Sequence, residues 1–458
     1  MASQPQPPIT GITDFIGDPV KPADFPQTIL RFRNDRAAAS VGLNTLSDAE
    51  WIAHLGRFQP LPDNLPQPLA LRYHGHQFRT YNPDLGDGRG FTFAQLRDGK
   101  GRLLELGTKG SGTTPYSRFG DGRLTLKGGV REILATEMLE ALGVNTSKTF
   151  SLIETGEQLQ RNDEPSPTRA AVLVRLSHGH VRIGSFQRLA VLGELDEMMR
   201  LVGYVIEHLY GERPGDEPVL QLLEQVVSRS ARLAASYMAA GFVHGVLNSD
   251  NINVTGESFD YGPWRFTPFW DPNFTAAYFD HSGLYAFGRQ AQAIHWDVVQ
   301  LTIALAKLAP VEGLAPILDT FPDVYERAYA GAMLARLGVR PKAEEDDLAL
   351  VQAIEKALAL RTVSIDRFFF DWSGGSRRAS PHDDIYAEDF RDVAGMLTRY
   401  DRTRVTDHPY WLDAEPCSLH IDEVEAIWAT IDQDDDWSAL HDKVAAIRRM
   451  GEAHAWPK

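Results

Sequence analysis

Hydrophobic and polar positions change character near residue 190. Upstream, short apolar runs alternate with glycine-rich turns. FTFAQL (91–96) and LLELGT (103–108) flank RDGKGR, whose two glycines predict a tight connection, so the pair reads as a β-hairpin. FSLIET (150–155) and RAAVLVRLS (169–177) predict two more strands, parted by the polar stretch GEQLQRNDEPSPT. Between these pairs, LTLKGGVREILATEMLEALG (124–143) repeats Val130, Ile133, Leu134, Met138 and Leu142 near a 3.6-residue period, and Gly143 stands where such a helix should stop. Downstream, DEMMRLVGYVIEHLYG (196–211), LQLLEQVVSRSARLAASYMAAG (220–241) and WDVVQLTIALAKLAP (296–310) predict helices, the last apolar enough to be buried. The polar segment FVHGVLNSDNINV follows the second of them. Residues 1–25 carry recurring proline without a period and predict an extended arm. Residues 311–458 read as helical and acidic, with the acidic runs at 345–347 and 434–436 on solvated surface.

Composition narrows the partners. A chain of 458 residues can bury the cores of two or three lobes. A net charge of -16 argues against nucleic acid or an anionic membrane as partner, while a nucleotide needs only a few local cations. The single cysteine, Cys417, excludes an internal disulfide framework and fits a reducing compartment. The start, MASQPQPPITGITDFIGDP, lacks a basic-then-apolar signal pattern, and no run approaches the ~18 apolar residues of a membrane span. A cytoplasmic protein is expected.

A β-rich lobe with one key helix followed by a larger helical lobe is the layout of protein kinases. The expected fold is therefore α+β, kinase-like and bilobal. Its boundaries are an arm and extension (1–69), an N-lobe (70–190), a C-lobe core (191–310) and a helical C-terminal extension (311–458). Five features fall in the order such a site needs. LGDGRG (85–90) can bring backbone N–H groups to phosphate, or be a plain turn. Lys109 ends the second hairpin strand, and Glu132 lies on the following helix. A strand lysine held by a helix glutamate fixes the phosphate-binding cation of kinases, although each residue could also be a solvated charge. His244 and Asn251 keep the spacing of a kinase catalytic loop, and Asp260-Tyr261-Gly262 resembles the metal-binding Asp-Phe-Gly motif. Asn251 and Asp260 would supply the oxygen donors that Mg²⁺ prefers.

Val246 stands where a kinase has its catalytic aspartate, and a carboxylate returns only at Asp250. Arg175 and Arg182 follow the strand that lines the adenine pocket of a kinase. Arginine favours bidentate pairing with phosphate, so the pair suggests a nucleotide turned end for end; salt bridges are the alternative. Asp297, opening the helix in HWDVVQL, is expected to accept hydrogen bonds from backbone near 244–247, or simply to favour the helix dipole.

LGDGR (85–89), LGTKGSGTTPYSRFGDGR (106–123), VREILATEML (130–139), HGVLNSDN (244–251), FDYGPWRF (259–266) and DHSGLYAFGRQ (280–290) resemble the SelO (YdiU) family of kinase-fold protein adenylyltransferases, often called pseudokinases, over roughly residues 70–300. The resemblance implies transfer of AMP from ATP to Ser, Thr or Tyr hydroxyls of protein substrates, with Mg²⁺ or Mn²⁺ as cofactor. It implies nucleotide contacts from Gly86, Gly88, Arg89, Lys109, Asp121, Gly122, Arg175 and Arg182. Asp250 would accept the proton, Asn251 and Asp260 would bind metal (Asp260 also facing the nucleotide), and Glu132 would orient Lys109. A kinase-like phosphotransferase and an inactive nucleotide-binding scaffold are the competing readings. Leu176-Ser177-His178-Gly179-His180-Val181-Arg182 departs from the family's segment but keeps the spacing of the arginines. The redox-active tail of many members is not matched by EAHAWPK, and residues after 300 are expected to diverge. His74 and His76 are expected to be structural, and Cys417 an inert thiol.

Overall fold

The computed structural model describes residues 6–162 and 164–454. Among them, eight antiparallel strands make one sheet. Its order is Gly17–Pro19, Leu69–Leu71, Thr92–Arg97, Leu103–Lys109, Thr168–Ser177, Lys148–Leu159 and Ile29–Arg33, with Leu124–Thr125 also pairing to Thr168–Ser177. The two-residue period of a strand separates its faces. Leu104 and Leu106 enter an apolar layer with Phe91, Phe93, Val172 and Val174. Glu105, Gly107 and Lys109 alternate with them and belong to the opposite face. Leu173 pairs with Lys109 and Arg175 with Gly107, so Lys109 and Arg175 share that second face.

The helix Leu126–Ala141 lies across the sheet, started by the Thr125 side chain, which accepts from Gly128 N. Val130, Ile133, Leu134 and Met138 are buried as their period requires. The second lobe is built on the Pro218–Ala240 helix, which closes at Gly241 with φ 68°. The expected order, a sheet-bearing first lobe with one central helix and a larger helical second lobe, is present.

Three expectations need correction. Residues 8–19, expected as part of an extended arm, form two helical turns and the edge strand Gly17–Pro19; residues 1–5 lie outside the described part. The acidic runs are not merely solvated. Asp347 is buried and accepts from Lys342 N and the Tyr400 hydroxyl, and Asp435 pairs with Arg169 at 2.6 Å and Arg31 at 3.1 Å. Asp297 is buried, yet neither of its carboxylate oxygens has a hydrogen-bonding partner among the described residues. Gln290, seven positions earlier, holds the loop instead: its Nε2 donates to Phe242 O at 2.7 Å and its Oε1 accepts from His244 N at 3.1 Å. Burial, with the nearby Asp250 charge, pushes the Asp297 carboxyl well above its ordinary range.

The segment after residue 311 returns to the first lobe. Helix Ser438–His454 packs on helix Leu126–Ala141, where Arg448 grips Glu137 through contacts of 2.8 and 2.6 Å, and Lys127 reaches Glu425 at 2.7 Å. No helix of the described residues is long and apolar enough to cross a membrane.

Gln290→Ala should cost about 2 kcal/mol or more, because it leaves a buried amide and a buried carbonyl unpaired. Asp297→Asn should cost clearly less, since the amide nearly matches in shape a carboxyl that makes no hydrogen bond among the described residues. Urea unfolding of the two variants beside the parent measures the difference.

Candidate active site

The sheet and the loops above it enclose a cavity of about 910 Å³ that opens between the lobes. Gly86, Gly88, Arg89, Lys109, Asp121, Gly122, Arg175, Arg182, Asp250 and Asp260 all line it. The sequence scatters these residues from position 86 to position 260, and the fold brings them to one surface.

At the closed end lies a cluster of charge. The Lys109 ammonium is shared between Glu132, at hydrogen-bonding distance, and Asp260 Oδ1 at 3.0 Å. Glu132 is buried on the Leu126–Ala141 helix and has no contact with the cavity, so it orients the lysine as expected. Arg175 Nη1 stands 3.5 Å from the same Asp260 oxygen. Arg182 opens the helix Ile183–Leu192; its Nη1 donates to Asp250 O at 3.1 Å and its Nη2 to Asp87 Oδ1 at 3.3 Å. The two guanidinium groups lie 5.1 and 4.9 Å from the Phe259 ring, which packs beside both. Arg175 Nε and Nη1 and Arg182 Nε are buried and have no hydrogen-bond acceptor among the described residues. Both side chains line the cavity and keep donors without a partner among the described residues, which suits an anion.

The arginines follow the strand that lines the adenine pocket of a kinase, where their chemistry favours phosphate. The structure sets Arg175 near the Asp260 carboxylate and Arg182 against the Asp250 backbone carbonyl and the Asp87 carboxylate, and Arg182 is carried there by the pairing of residues 181–183 with 252–254. Burial alone would raise the Asp260 carboxyl, but Lys109, Arg175, Arg182 and Arg89 hold it well below the ordinary range, so it is ionised. Burial pushes the Asp250 carboxyl up to about 6 against the pull of Arg182. Asp260 itself adopts φ 64°, a left-handed conformation that aspartate tolerates better than most residues.

The glycines of the 85–90 loop serve packing first. A Cβ on Gly86 would lie 2.3 Å from the Tyr116 ring, and one on Gly88 would lie 2.8 Å from Tyr116 O. The loop 110–123 is thereby seated directly on the loop 85–90, with Ser117 Oγ donating to Gly88 O and Gly110 N to Arg89 O at 2.7 Å. Asp121 sits at the mouth of the cavity and pairs with Arg161 at 2.8 Å. Asn251 does not line the cavity; its amide donates to Val246 O at 3.0 Å, which leaves its carbonyl oxygen free of any hydrogen bond among the described residues. Val246 supplies only this backbone contact.

His74 Nδ1 contacts the Tyr81 hydroxyl at 2.6 Å, and Gln187 Nε2 lies 2.8 Å from His76 Nδ1. Both histidines fasten the hairpin 75–82. Cys417 is half-buried, and burial raises its thiol to about 11. Sequence reasoning passed over Asp87, which pairs with Arg182 and accepts from Leu71 N. Its signal was visible, a carboxylate between two loop glycines. Gln290 gave no such signal.

The lysine–glutamate pair, the Asp-Tyr-Gly aspartate and the Asp250 carboxylate coincide with a match over residues 4–393 to the family described as protein adenylyltransferase SelO. This chain belongs to the SelO family. A protein nucleotidyltransferase YdiU of Gloeobacter violaceus is 42% identical over 97% of this chain and 95% of that protein. Its namesake in Synechocystis is 40% identical over 94% and 95%, and that of Synechococcus elongatus 48% identical over 73% and 68%. The solved structure of ROP2 from Toxoplasma gondii, described as having a protein-kinase fold and no enzymatic activity, overlays loosely, with a TM-score of 0.26 and 12% identity over 81% of this chain and 93% of that one. The SelO match runs well past residue 300, where divergence was expected.

Asp260 neutralises part of a buried cationic cluster, and a triphosphate would compete with it. Asp260→Ala should therefore bind ATP more tightly than the parent when divalent ions are chelated, by tenfold or more (about 1.4 kcal/mol). Calorimetric titration in EDTA reads this directly.

Proposed function

We propose that the chain transfers AMP from ATP to Ser, Thr or Tyr hydroxyls of protein substrates, with the terminal phosphates seated at the closed end of the cavity. The observation that carries the pose is the set of unspent Arg175 and Arg182 donors beside Lys109, at a place too strongly cationic for adenine. The nucleotide is then reversed relative to a kinase. Its α-phosphate lies toward Asp250, and its base toward the outer wall formed by the 110–123 loop.

The acceptor oxygen attacks the α-phosphorus, the bond from that phosphorus to the β-bridging oxygen breaks, and pyrophosphate leaves. The acceptor proton goes to Asp250, whose buried Oδ1 has no hydrogen-bond partner among the described residues. A carboxylate with a pKa raised toward neutrality is a better base than an ordinary one. Asp250 also explains how the site works with a valine at position 246.

The residues fit a divalent cation. Asp260 is ionised, the Asn251 carbonyl oxygen is free, and two oxygen donors completed by phosphate and water suit Mg²⁺ or Mn²⁺. Asn251 and Asp260 would hold the ion, which when bound neutralises charge developing on the phosphates. The protein's own share is to place Lys109, Arg175 and Arg182 where they draw the terminal phosphates inward and fix the in-line approach at the α-phosphorus.

ATP labelled separately at its α- and γ-phosphates tests the reaction class. The α-label should pass to the acceptor protein, and transfer of the γ-label would mark a phosphotransferase instead. Asp250→Asn should lower kcat by about 10²–10⁴-fold with ATP affinity retained, and Asp260→Ala should abolish transfer by about three decades or more. Arg175→Ala with Arg182→Ala should weaken ATP binding by about 10²-fold or more, given ~1.5–3 kcal/mol per charge-assisted contact, and AMP binding far less. Equal losses for ATP and AMP would overturn the reversed pose.

A further inference from the structure

The strands Gly75–Gln77 and Thr80–Asn82 pair with each other, leaving only Phe78 and Arg79 in the turn. Both residues have positive φ, 48° and 64°. A two-residue turn with both φ positive is a type I′ connection, the form in which Asn-Gly is strongly preferred. An aromatic ring and an arginine side chain at successive left-handed positions oppose that preference, and such conformations persist only where the surroundings hold them.

Those surroundings are the catalytic loop. A Cβ on Gly75 would lie 2.9 Å from Asp250 Oδ1, so the strand runs hard against the catalytic carboxylate. His76 N donates to Ser249 Oγ at 2.8 Å, and Phe78 N donates to Asn248 Oδ1 at 3.1 Å. Residues 75, 76 and 78 thus follow 250, 249 and 248 in antiparallel order. All three contacts are made by the backbone of the hairpin. They explain its position and leave the identity of residue 78 unexplained.

The Phe78 ring is 37% exposed. It packs 5.1 Å from Tyr285 and 5.9 Å from Phe279, and Phe279 in turn lies 5.1 Å from Tyr278. Tyr278 is 77% exposed and lines the cavity that holds Asp250. A row of water-facing aromatics therefore leads away from the catalytic carboxylate. Beyond Tyr278 it meets a second depression of about 390 Å³ bordered by Asn273, Thr275, His281 and Arg289, whose side chains can hydrogen-bond a peptide backbone.

We propose that the Phe78–Arg79 turn, with Tyr278 and Phe279, is the acceptor groove of the enzyme. It receives an extended segment of the acceptor protein whose residues beside the reactive hydroxyl are apolar or aromatic. The turn conformation is kept in spite of its side chains because Phe78 must face the acceptor, while Arg79, 5.4 Å over the Trp296 ring, anchors the turn from its other side. The inference rests on adenylyl transfer to protein.

The test uses the full chain and the double variant Phe78→Asn, Arg79→Gly, which installs the residues that the turn itself prefers and keeps the N–H that Asn248 accepts. The probes are two fluorescein-labelled nonapeptides with a central tyrosine, one flanked by Leu and Phe, the other by Ser and Glu. The parent should bind the apolar peptide at least tenfold more tightly. The double variant should lose that preference, with its melting temperature unchanged or raised and its ATP affinity unchanged. Label transfer to the apolar peptide should show a raised KM with kcat held. Retained preference in the variant, or a fall in kcat or ATP affinity with peptide binding intact, would overturn the proposal and leave the turn as a prop for the catalytic loop. Peptide binding is read without chemistry, so a failure of adenylyl transfer itself would appear separately, as absence of α-label in the parent.

Discussion

Three cations buried at the end of one cavity have to be balanced, and the Asp260 carboxylate is where the balance is struck. Each buried ion carries a desolvation cost of several kcal/mol that only close opposite charge can offset. Lys109 leans on Glu132 and Asp260, Arg175 on Asp260, and Arg182 on Asp87 and the Asp250 carbonyl. None of these cations has a surplus of acceptors. In the proposed pose a triphosphate would enter by exchange, taking contacts that the carboxylates give up.

The rest of the fold can be understood as the support for that cluster. Strand pairing sets Lys109 and Arg175 on one face, and the antiparallel link between residues 181–183 and 252–254 carries Arg182 to the catalytic loop. The 110–123 loop forms an outer wall because Gly86 and Gly88 let Tyr116 settle against them. Gln290 ties the start of the catalytic loop to the helix behind it, so the loop has one fixed end at His244 and another beneath the hairpin 75–82.

Much of this was legible from local pattern. The hairpin, the central helix and the lysine–glutamate pair follow from strand and helix periods, and Asp250, Asn251 and Asp260 sit in short segments whose spacing is diagnostic. What stayed hidden depends on partners distant in sequence. The position of Asp297 is readable from spacing, but the group that holds the backbone near 244 is set by packing, and Gln290 won. The strand Gly17–Pro19 is too short to show a period. Asp347 and Asp435 resemble surface charge until the helices that contact them are placed. The bond between Glu137 and Arg448 joins two amphipathic helices whose patterns say that each packs, and not on what.

That last bond has a consequence for biosynthesis. Glu137 and Arg448 are 311 positions apart, so the helix bearing Glu132 leaves the ribosome long before its outer brace exists. Closure of so long a loop is slow and comes late in folding. The nascent first lobe must therefore wait with the helix of its phosphate-binding pair only partly held. A chain interrupted before residues 438–454 would carry Lys109 and Glu132 without the Arg448 contact that braces their helix at Glu137.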